Sequence, residues 1–369
     1  MGTEWRGPEA LARVVRAETV RLFPKSMPYW SELAGARILM TGCSGLFGLW
    51  LLELFDRANS ELGLGIRVAV LTRQTRNFFE RYPQFSRIHG LEVIEGDVRG
   101  FKLGAFQPTH LIHGATTSAS ETFEGASPLQ KFDTLVSGTN HVFSLLPKGG
   151  VRSALFLSSG VVYGTLPNGL DRYPDDFTSA PQPEDISAGL GHAKRAAEFL
   201  CHAHASTLEI PIRVARCFSF SGAGVPLDLH YAIGDFVRQS LVGSSIEITG
   251  DGSAVRSYLH LADLATWLVA LLGDPDRSKP AVLNVGSPRG VSIRQLAETV
   301  ASALTPSPSV VVKGIADYAV GNPVRRRYVP NTSSALAYDL SDWTPIEHSL
   351  QTMLQTSGID PSRLAEVRS

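Results

Sequence analysis

The sequence has few cysteines, almost no net charge and no long apolar run, and each shortage excludes a class of protein. Its three cysteines, Cys43, Cys201 and Cys217, are isolated and have no metal-ligand spacing, which predicts no metal site and favours a reducing, cytoplasmic location. A formal net charge of −1 indicates neither a nucleic-acid partner nor an anionic membrane. No apolar run approaches the roughly 18 residues of a membrane span.

The composition is that of an ordinary globular protein. The chain has 369 residues, of which 43% are hydrophobic and 19% are charged. This length suffices for one large domain or two coupled domains with a substantial core. The amino-terminal residues lack the apolar core of a signal peptide, and residues 8–23 have the periodicity of a surface helix.

A glycine-rich turn lies between a predicted strand, 36–41, and a predicted helix, 46–58. Gly42 can adopt a positive φ, Gly45 lets the backbone approach a diphosphate, and Gly48 lets the helix pack closely on the strand. The helix amino terminus adds N–H groups for a phosphate. A chance glycine-rich turn is the alternative, which the strand–turn–helix context opposes. We therefore predict a dinucleotide-binding loop whose cofactor contacts are Gly42, Ser44, Gly45, Leu46, Phe47 and Gly48.

Strands and helices alternate through the first two thirds of the chain, which predicts an α/β fold with a doubly wound parallel sheet covered on both faces. The further strands are predicted at 66–73, 91–98, 109–115 and 152–159, and the long helices at 127–147 and 188–206. Beyond residue 217 short strands alternate with helices and predict a smaller substrate lobe. The predicted units are a helical extension 1–34, a dinucleotide-binding domain 35–217 and a region 218–369 that is mainly the substrate-binding lobe.

The end of the second strand bears on the choice of cofactor. NAD selection usually requires a carboxylate there, whereas arginine suits the 2′-phosphate of NADP. Residues 71–76 contain Arg73 and Arg76 and no carboxylate, so NADP is favoured and NAD stays open; two solvated arginines are the alternative. Gly114 and Ala115 end the fourth strand and let a cofactor lie against the backbone.

Nine short motifs follow one another along the chain: Thr41–Gly48, Gly96–Val98, His113–Ala115, Ser158–Gly164, Gly191–Lys194, Arg213–Phe218, Gly250–Gly252, Arg256–Asp263 and Leu283–Gly286. Together they resemble the extended short-chain dehydrogenase/reductase family, in its nucleotide-sugar epimerase/dehydratase branch, over roughly residues 35–355. The resemblance implies a Rossmann domain with bound NAD(P), cofactor contacts from Asp97 and Val98, and a nucleotide-diphosphate sugar in the smaller lobe.

The resemblance also implies a catalytic serine, tyrosine and lysine, and this chain departs from that set. Ser159 matches the serine, and Lys194 matches the lysine that binds the nicotinamide ribose. The tyrosine position is Leu190, which has no proton to exchange. Gly160 and Val161 replace the Asp-Glu pair of the 4,6-dehydratases, which argues against dehydration.

Other side chains are weaker candidates. Tyr163 is a possible catalytic phenol, although its turn is usually structural, and His192 points away from the Leu190 face of its helix. By the resemblance, the substrate contacts are Ser159, Ser219, Arg256 and Arg327, with surface ion pairs as the alternative for the arginines.

Two functions stay open: an NAD(P)-dependent epimerase or ketoreductase with a rearranged acid/base, or a cofactor- and nucleotide-binding protein without redox turnover or with non-redox chemistry. In this family the two long helices form a dimer interface, which predicts a homodimer.

Overall fold

The computed structural model describes residues 7–116, 125, 127–229, 231–243, 245–314 and 326–365. Its largest sheet contains β1 Arg37–Thr41, β2 Arg67–Thr72, β3 Leu91–Glu95, β4 His110–His113, β5 Ser153–Ser159, β6 Ile212–Cys217 and β11 Val282–Val285. Neighbouring strands pair in parallel, in the order β3-β2-β1-β4-β5-β6-β11. This confirms the predicted α/β class and parallel sheet, and the order is that of a Rossmann fold.

Helices cover both faces of this sheet. Their bounds are α1 Gly7–Ser26, α2 Leu46–Leu62, α3 Thr75–Arg81, α4 Pro128–Ser144, α5 Gly189–Leu208, α6 Ala232–Val242, α7 Leu261–Gly273, α8 Ile293–Ser302 and α9 Ile346–Thr356. Side chains alternate along β1, so Ile38 and Met40 pack with α1, α2 and α7, whereas Leu39 packs with α4 and α5. Both faces of the strand are thus buried, as expected in a covered parallel sheet.

Local sequence explains where these helices begin and end. Helix α4 starts with a capping box between Ser127 and Gln130, followed by Pro128 in the first turn, and both features favour a helix start. Helix α2 ends at Gly63, which has a φ of +64° and caps the helix in the left-handed conformation.

A smaller lobe carries the short strands of the carboxyl-terminal half. These are β7 Phe220–Ser221, β8 Ser245–Ile248, β9 Val255–Ser257, β10 Leu259–His260, β12 Gly290–Ser292, β13 Ser309–Val312 and β14 Arg327–Tyr328. Strand β8 pairs with β13, and β9 lies between β12 and β14. Residues of α6, α8 and α9 form the lobe's own apolar core with β8.

Two elements beyond residue 217 belong to the Rossmann layers. Strand β11 pairs in parallel with β6 and extends the main sheet, and α7 is buried against that sheet with α1 and α2. The predicted boundary at residue 217 therefore describes the smaller lobe only in part. The reason is that β11 satisfies its backbone hydrogen bonds on the free edge of β6, which no sequence pattern of β11 itself reveals.

The amino-terminal helix is an integral part of this core. Four of its apolar side chains are buried, namely Leu11, Val15, Leu22 and Phe23.

None of the helices in the described ranges is both long and apolar enough to span a membrane. The same ranges contain no group of three or more His, Cys, Asp and Glu side chains placed to hold a metal ion.

Candidate active site

The glycine-rich loop joins β1 to α2 at the point where the strand order reverses between β1 and β4. Gly42 has a φ of +69°, and a Cβ on it would lie 2.3 Å from the amide nitrogen of Ala115. A Cβ on Gly48 would lie 1.5 Å from the carbonyl oxygen of Cys43. Neither position can therefore hold a side chain without movement of the backbone, as predicted from the spacing.

Gly45 differs from the other two glycines of the loop. A Cβ on it would meet no described heavy atom within 4 Å, so the backbone is open on this side. Gly45 is also the N-cap residue of α2 and has no side chain with which to cap the amides of the first turn. The open backbone and the helix amino terminus fit the diphosphate of a dinucleotide.

A cavity of about 390 Å³ lies beside this loop. It is lined by Ser44, Thr72, Arg73, Gln74, Asn77, Phe78 and Arg81. Arg76, the second arginine of the sequence prediction, is instead ion-paired with Glu80 at 2.7 Å and is 88% exposed. The structure thus brings Arg81, and not Arg76, to the same cavity as Arg73.

Sequence reasoning missed Arg81, although a signal was present. Residues 77, 78 and 81 are spaced i, i+1 and i+4 on α3 and follow its N-cap residue Gln74 by three, four and seven positions, so they lie toward one face. Two guanidinium groups and a serine hydroxyl lining one cavity fit a phosphate monoester. This is the chemistry of the 2′-phosphate that distinguishes NADP from NAD.

Asp97 and Val98, which follow β3, have partners of their own. The Asp97 carboxylate accepts from Arg99 Nε and Nη2 at 2.8 and 3.0 Å. The hydrogen bond from Arg99 lowers the pKa of Asp97 to about 2, so the carboxylate is ionised at neutral pH. Val98 is buried against Gly138, where a Cβ would lie 2.8 Å from its methyl carbon.

Lys194 lies buried one helical turn after Leu190. Its Nζ donates to the carbonyl oxygen of Leu157 at 2.7 Å and lies 4.9 Å from the ring centroid of Phe156. Burial lowers the pKa of Lys194 to about 8. Ser159 ends β5, and its Oγ accepts from the amide of Val161 at 3.3 Å. The end of β5 thus positions Ser159 and helix α5 positions Lys194, the two candidate catalytic residues that this chain retains. Leu190 contributes an apolar side chain.

Tyr163 lies in a buried aromatic cluster. Its hydroxyl donates to Asn284 Oδ1 at 2.7 Å, and its ring stacks on that of Tyr173 at a centroid distance of 5.4 Å. The Asn284 amide donates to the carbonyls of Tyr173 and Asn331, which fixes Oδ1 as the acceptor. Burial raises the pKa of Tyr163. These contacts favour a structural role for this phenol over proton exchange with a substrate.

The remaining candidates lie around the smaller lobe. Arg256 Nη1 donates to the carbonyl of Val255 at 2.9 Å. Arg327 Nε donates to the carbonyl of Asp171 at 3.2 Å and lies 3.4 Å from its carboxylate. Ser219 is half-buried, and its carbonyl pairs with the amide of Leu259. His192 bonds the carbonyl of Gln182 through Nε2 at 3.0 Å.

One further hydroxyl, which no local sequence pattern indicated, lies at the loop that follows Ser159. A Cβ on Gly160 would lie 2.8 Å from Tyr328 Oη and 2.7 Å from the ring of Phe218. Tyr328 belongs to β14, in register with Arg256 of β9. Only the pairing of these distant segments brings the phenol to this loop.

Several proteins similar to this chain are named for nucleotide sugars. UDP-glucuronic acid decarboxylase 3 of Arabidopsis thaliana is 26% identical over 272 residues, which cover 73% of this chain and 75% of the relative. A dTDP-4-dehydro-6-deoxy-D-allose reductase of Streptomyces sp is 26% identical over 280 residues, covering 73% of this chain and 82% of the relative. The solved UDP-glucuronic acid 4-epimerase of Bacillus cereus, in complex with UDP-glucuronic acid and NAD, superposes with a TM-score of 0.69 at 18% identity, covering 87% of this chain and 98% of that structure.

A family model matches most of this chain. It describes the NAD dependent epimerase/dehydratase family and matches residues 38–286, a span that contains the glycine loop, Ser159 and Lys194. This confirms the resemblance found in the sequence motifs. The chain belongs to the NAD dependent epimerase/dehydratase family.

Proposed function

We propose that this protein is an NAD(P)-dependent nucleotide-sugar epimerase or ketoreductase of the extended short-chain type with an atypical active site. The observation that carries the proposal is the loop at the reversal of strand order, where Gly45 leaves its backbone open beside the amino terminus of α2. When bound there, the nicotinamide cofactor accepts or returns a hydride. The bound cofactor is held by Gly42, Ser44, Gly45, Leu46, Phe47, Gly48, Gly114 and Ala115.

NADP is the cofactor that the charges favour. Arg73 and Arg81 line one cavity with Ser44, and guanidinium groups bind a phosphate dianion well. The 2′-phosphate of NADP would give both guanidinium groups a charge-assisted contact that NAD does not offer. NAD is the alternative, because a solved neighbour carries it.

Of the serine, tyrosine and lysine that the family resemblance implies, this chain retains the serine as Ser159 and the lysine as Lys194. Lys194 donates one of its three N–H bonds to Leu157, and a second can hold a ribose hydroxyl of the cofactor. Ser159 ends its strand with a hydroxyl that accepts a hydrogen bond of 3.3 Å from the amide of Val161. That hydroxyl can donate to a sugar oxygen. Dehydration is disfavoured, because Gly160 and Val161 bring no carboxylate to this loop.

Arginines of the smaller lobe would bind the diphosphate of the sugar nucleotide. Arg256 lies on β9 and Arg327 on the adjacent β14. Arg327 would exchange its contact with Asp171 for a diphosphate oxygen. Because the Arg327 side chain is 40% exposed, this exchange requires little repacking.

A second function is favoured by one specific observation. Leu190 occupies the place of the acid/base tyrosine, so the protein would bind cofactor and nucleotide without redox turnover. Both functions share the binding sites and differ only in proton transfer.

A homodimer is part of the proposal. Helices α4 and α5 pack together and leave apolar side chains outside, including Leu129, which is 81% exposed, and Phe199, which is 71% exposed. Exposed apolar side chains on one helix pair favour a self-complementary interface between two copies.

Mass spectrometry of the small molecules that copurify with the protein tests the binding sites first. Calorimetry with NADPH, NADH and UDP-glucuronic acid then measures their affinities. Incubation with UDP-glucuronic acid or UDP-glucose plus each oxidised cofactor, analysed by NMR, tests turnover. A new sugar supports the enzyme, binding without conversion supports the second function, and binding of neither ligand contradicts both.

A further inference from the structure

We propose that Tyr328 is the acid/base residue of this site and supplies the proton transfer that Leu190 cannot perform. The inference rests on the proposed function and deepens it, because it assigns the missing proton carrier. It makes Tyr328 a catalytic residue whose Oη touches the reacting sugar oxygen.

The first argument is the position of the Tyr328 hydroxyl. A Cβ on Gly160 would lie 2.8 Å from Oη, so the phenol fills the space that a side chain at residue 160 would occupy. Residue 160 directly follows Ser159, the retained hydroxyl at the carboxyl end of β5. Ligands of open parallel sheets bind at this edge.

The second argument is that the Tyr328 ring is held in place. Its centroid lies 4.6 Å from that of Phe218 and 6.1 Å from that of Tyr173, the latter pair edge to face. The backbone on its carboxyl side is anchored as well, since the amide of Tyr173 donates to Val329 and the amide of Asn331 donates to Tyr173. A fixed ring directs its hydroxyl reproducibly, which efficient proton transfer requires.

The third argument compares the other proton carriers that the sequence suggested. Tyr163 is fully buried and donates to Asn284, and His192 is engaged with Gln182. Tyr328 is half-buried, so the residue retains contact with the solvent-accessible space from which a substrate arrives. Among these three side chains, Tyr328 combines a phenol, a ring held by its neighbours and a hydroxyl against Gly160, the residue that follows Ser159.

The proposed step balances as follows. In the oxidation direction the Tyr328 phenolate accepts the proton of a sugar hydroxyl through Oη. The hydrogen on the same sugar carbon leaves with both electrons of its bond as hydride to the oxidised nicotinamide. The sugar becomes a ketone, the cofactor is reduced and Tyr328 becomes a phenol. Reduction reverses every transfer.

Tyr328→Phe removes Oη and keeps the ring. We expect kcat with UDP-glucuronic acid to fall about 10²- to 10⁴-fold, while KM and the affinity for NADPH stay unchanged. Tyr173→Phe is the matched control: it removes a hydroxyl that donates to Gly164 in the same cluster and should keep kcat. Adding Leu190→Tyr to Tyr328→Phe should restore at least part of the lost rate.

A spectroscopic measurement tests the contact without turnover. Tyrosine labelled with ¹³C at Cζ gives one resonance for each of the nine tyrosines, and the resonance lost in Tyr328→Phe is that of Tyr328. Adding UDP-glucuronic acid to the cofactor-free protein should shift this resonance. The Tyr173 resonance, assigned from its own variant, should not move.

The outcomes separate the two proposals. Full kcat in Tyr328→Phe, or no shift of the Tyr328 resonance in a protein that binds the sugar nucleotide, overturns this assignment and leaves the proposed function standing. Binding of both ligands without turnover also overturns it and favours the second function. Failure to bind either NADPH or UDP-glucuronic acid contradicts the proposed function, and the assignment falls with it.

Discussion

The carboxylate of Glu198 and the guanidinium of Arg216 form a bidentate ion pair beside Ser158, the residue before Ser159, with N···O distances of 2.7 and 3.0 Å. Ser158 also donates to Glu198 at 2.5 Å, so the pair joins β5, β6 and α5. Burial opposes the charged form of Arg216, but the bonds to Glu198 outweigh it and raise the pKa of Arg216. The strand end that carries Ser159 is thus held by a satisfied polar network.

Removing one partner of this pair should destabilise the fold. Glu198→Ala leaves a buried guanidinium uncompensated, and we expect the free energy of unfolding to fall by about 3–5 kcal/mol. Urea denaturation measures this loss of free energy. Glu80→Ala breaks the exposed pair with Arg76 and should change stability by less than about 1 kcal/mol. Equal losses in the two variants would contradict the role assigned to the buried pair.

The two arginines of the cavity should determine cofactor preference. Arg73→Ala and Arg81→Ala each remove a charge-assisted contact worth about 1.5–3 kcal/mol, so NADPH should bind about 10- to 100-fold more weakly. NADH has no 2′-phosphate and should bind as before. Arg76→Ala is the control, because Arg76 pairs with Glu80 and does not line the cavity. Equal affinities of the natural protein for NADPH and NADH would show that the assignment is wrong.

Substitution by alanine should have different effects on stability and on NADPH affinity at two glycines of the loop. Gly48→Ala places a Cβ 1.5 Å from the Cys43 carbonyl oxygen and should lower stability by about 1–3 kcal/mol or more. Gly45→Ala meets no described atom within 4 Å and should leave stability within about 0.5 kcal/mol. Its methyl group should nevertheless obstruct the diphosphate and weaken NADPH about tenfold or more. Thermal unfolding and calorimetry measure the two effects, and unchanged NADPH affinity in Gly45→Ala would argue against the diphosphate site.

The buried ammonium of Lys194 should make stability depend on pH in the alkaline range. Folded Lys194 titrates near a pKa of about 8, lowered by burial from 10.5. Between these values unfolded Lys194 holds a proton that folded Lys194 has released, so the contribution of Lys194 to the free energy of unfolding rises with pH, by at most about 3 kcal/mol. Burial raises the pKa of the thiols of Cys43, Cys201 and Cys217, and their contribution falls with pH in the same range. The difference in free energy of unfolding between the natural protein and Lys194→Met, measured in urea between pH 7 and 10, should therefore rise with pH; a constant difference would contradict the role assigned to Lys194.

The exposed apolar surface of α4 and α5 should mediate dimerisation. Phe199→Glu places a charge at a side chain that is 71% exposed in one chain, and burying it between two copies would be unfavourable. We expect sedimentation at micromolar concentration to show a dimer for the natural protein and a monomer for the variant. Leu336→Glu, at an exposed apolar residue outside these helices, should remain dimeric. A monomeric natural protein would contradict the homodimer.

The sequence alone determined the sheet and its cofactor loop. Apolar strands alternating with amphipathic helices lead to a parallel sheet, and the spacing of Gly42, Gly45 and Gly48 requires a tight turn into a helix. These features depend on residues close together in the chain, so local patterns report them. The absence of a phenol at residue 190 is likewise visible without coordinates, because i, i+4 spacing relates Leu190 directly to Lys194.

Only the tertiary structure decided which distant groups share the site. Tyr328 reaches Gly160 because β14 pairs with β9, although the two residues are far apart in the chain. Tyr163 points inward because its hydroxyl donates a hydrogen bond to Asn284 of β11. Such contacts depend on the free energy of packing whole elements together, which the residues around each position do not encode by themselves.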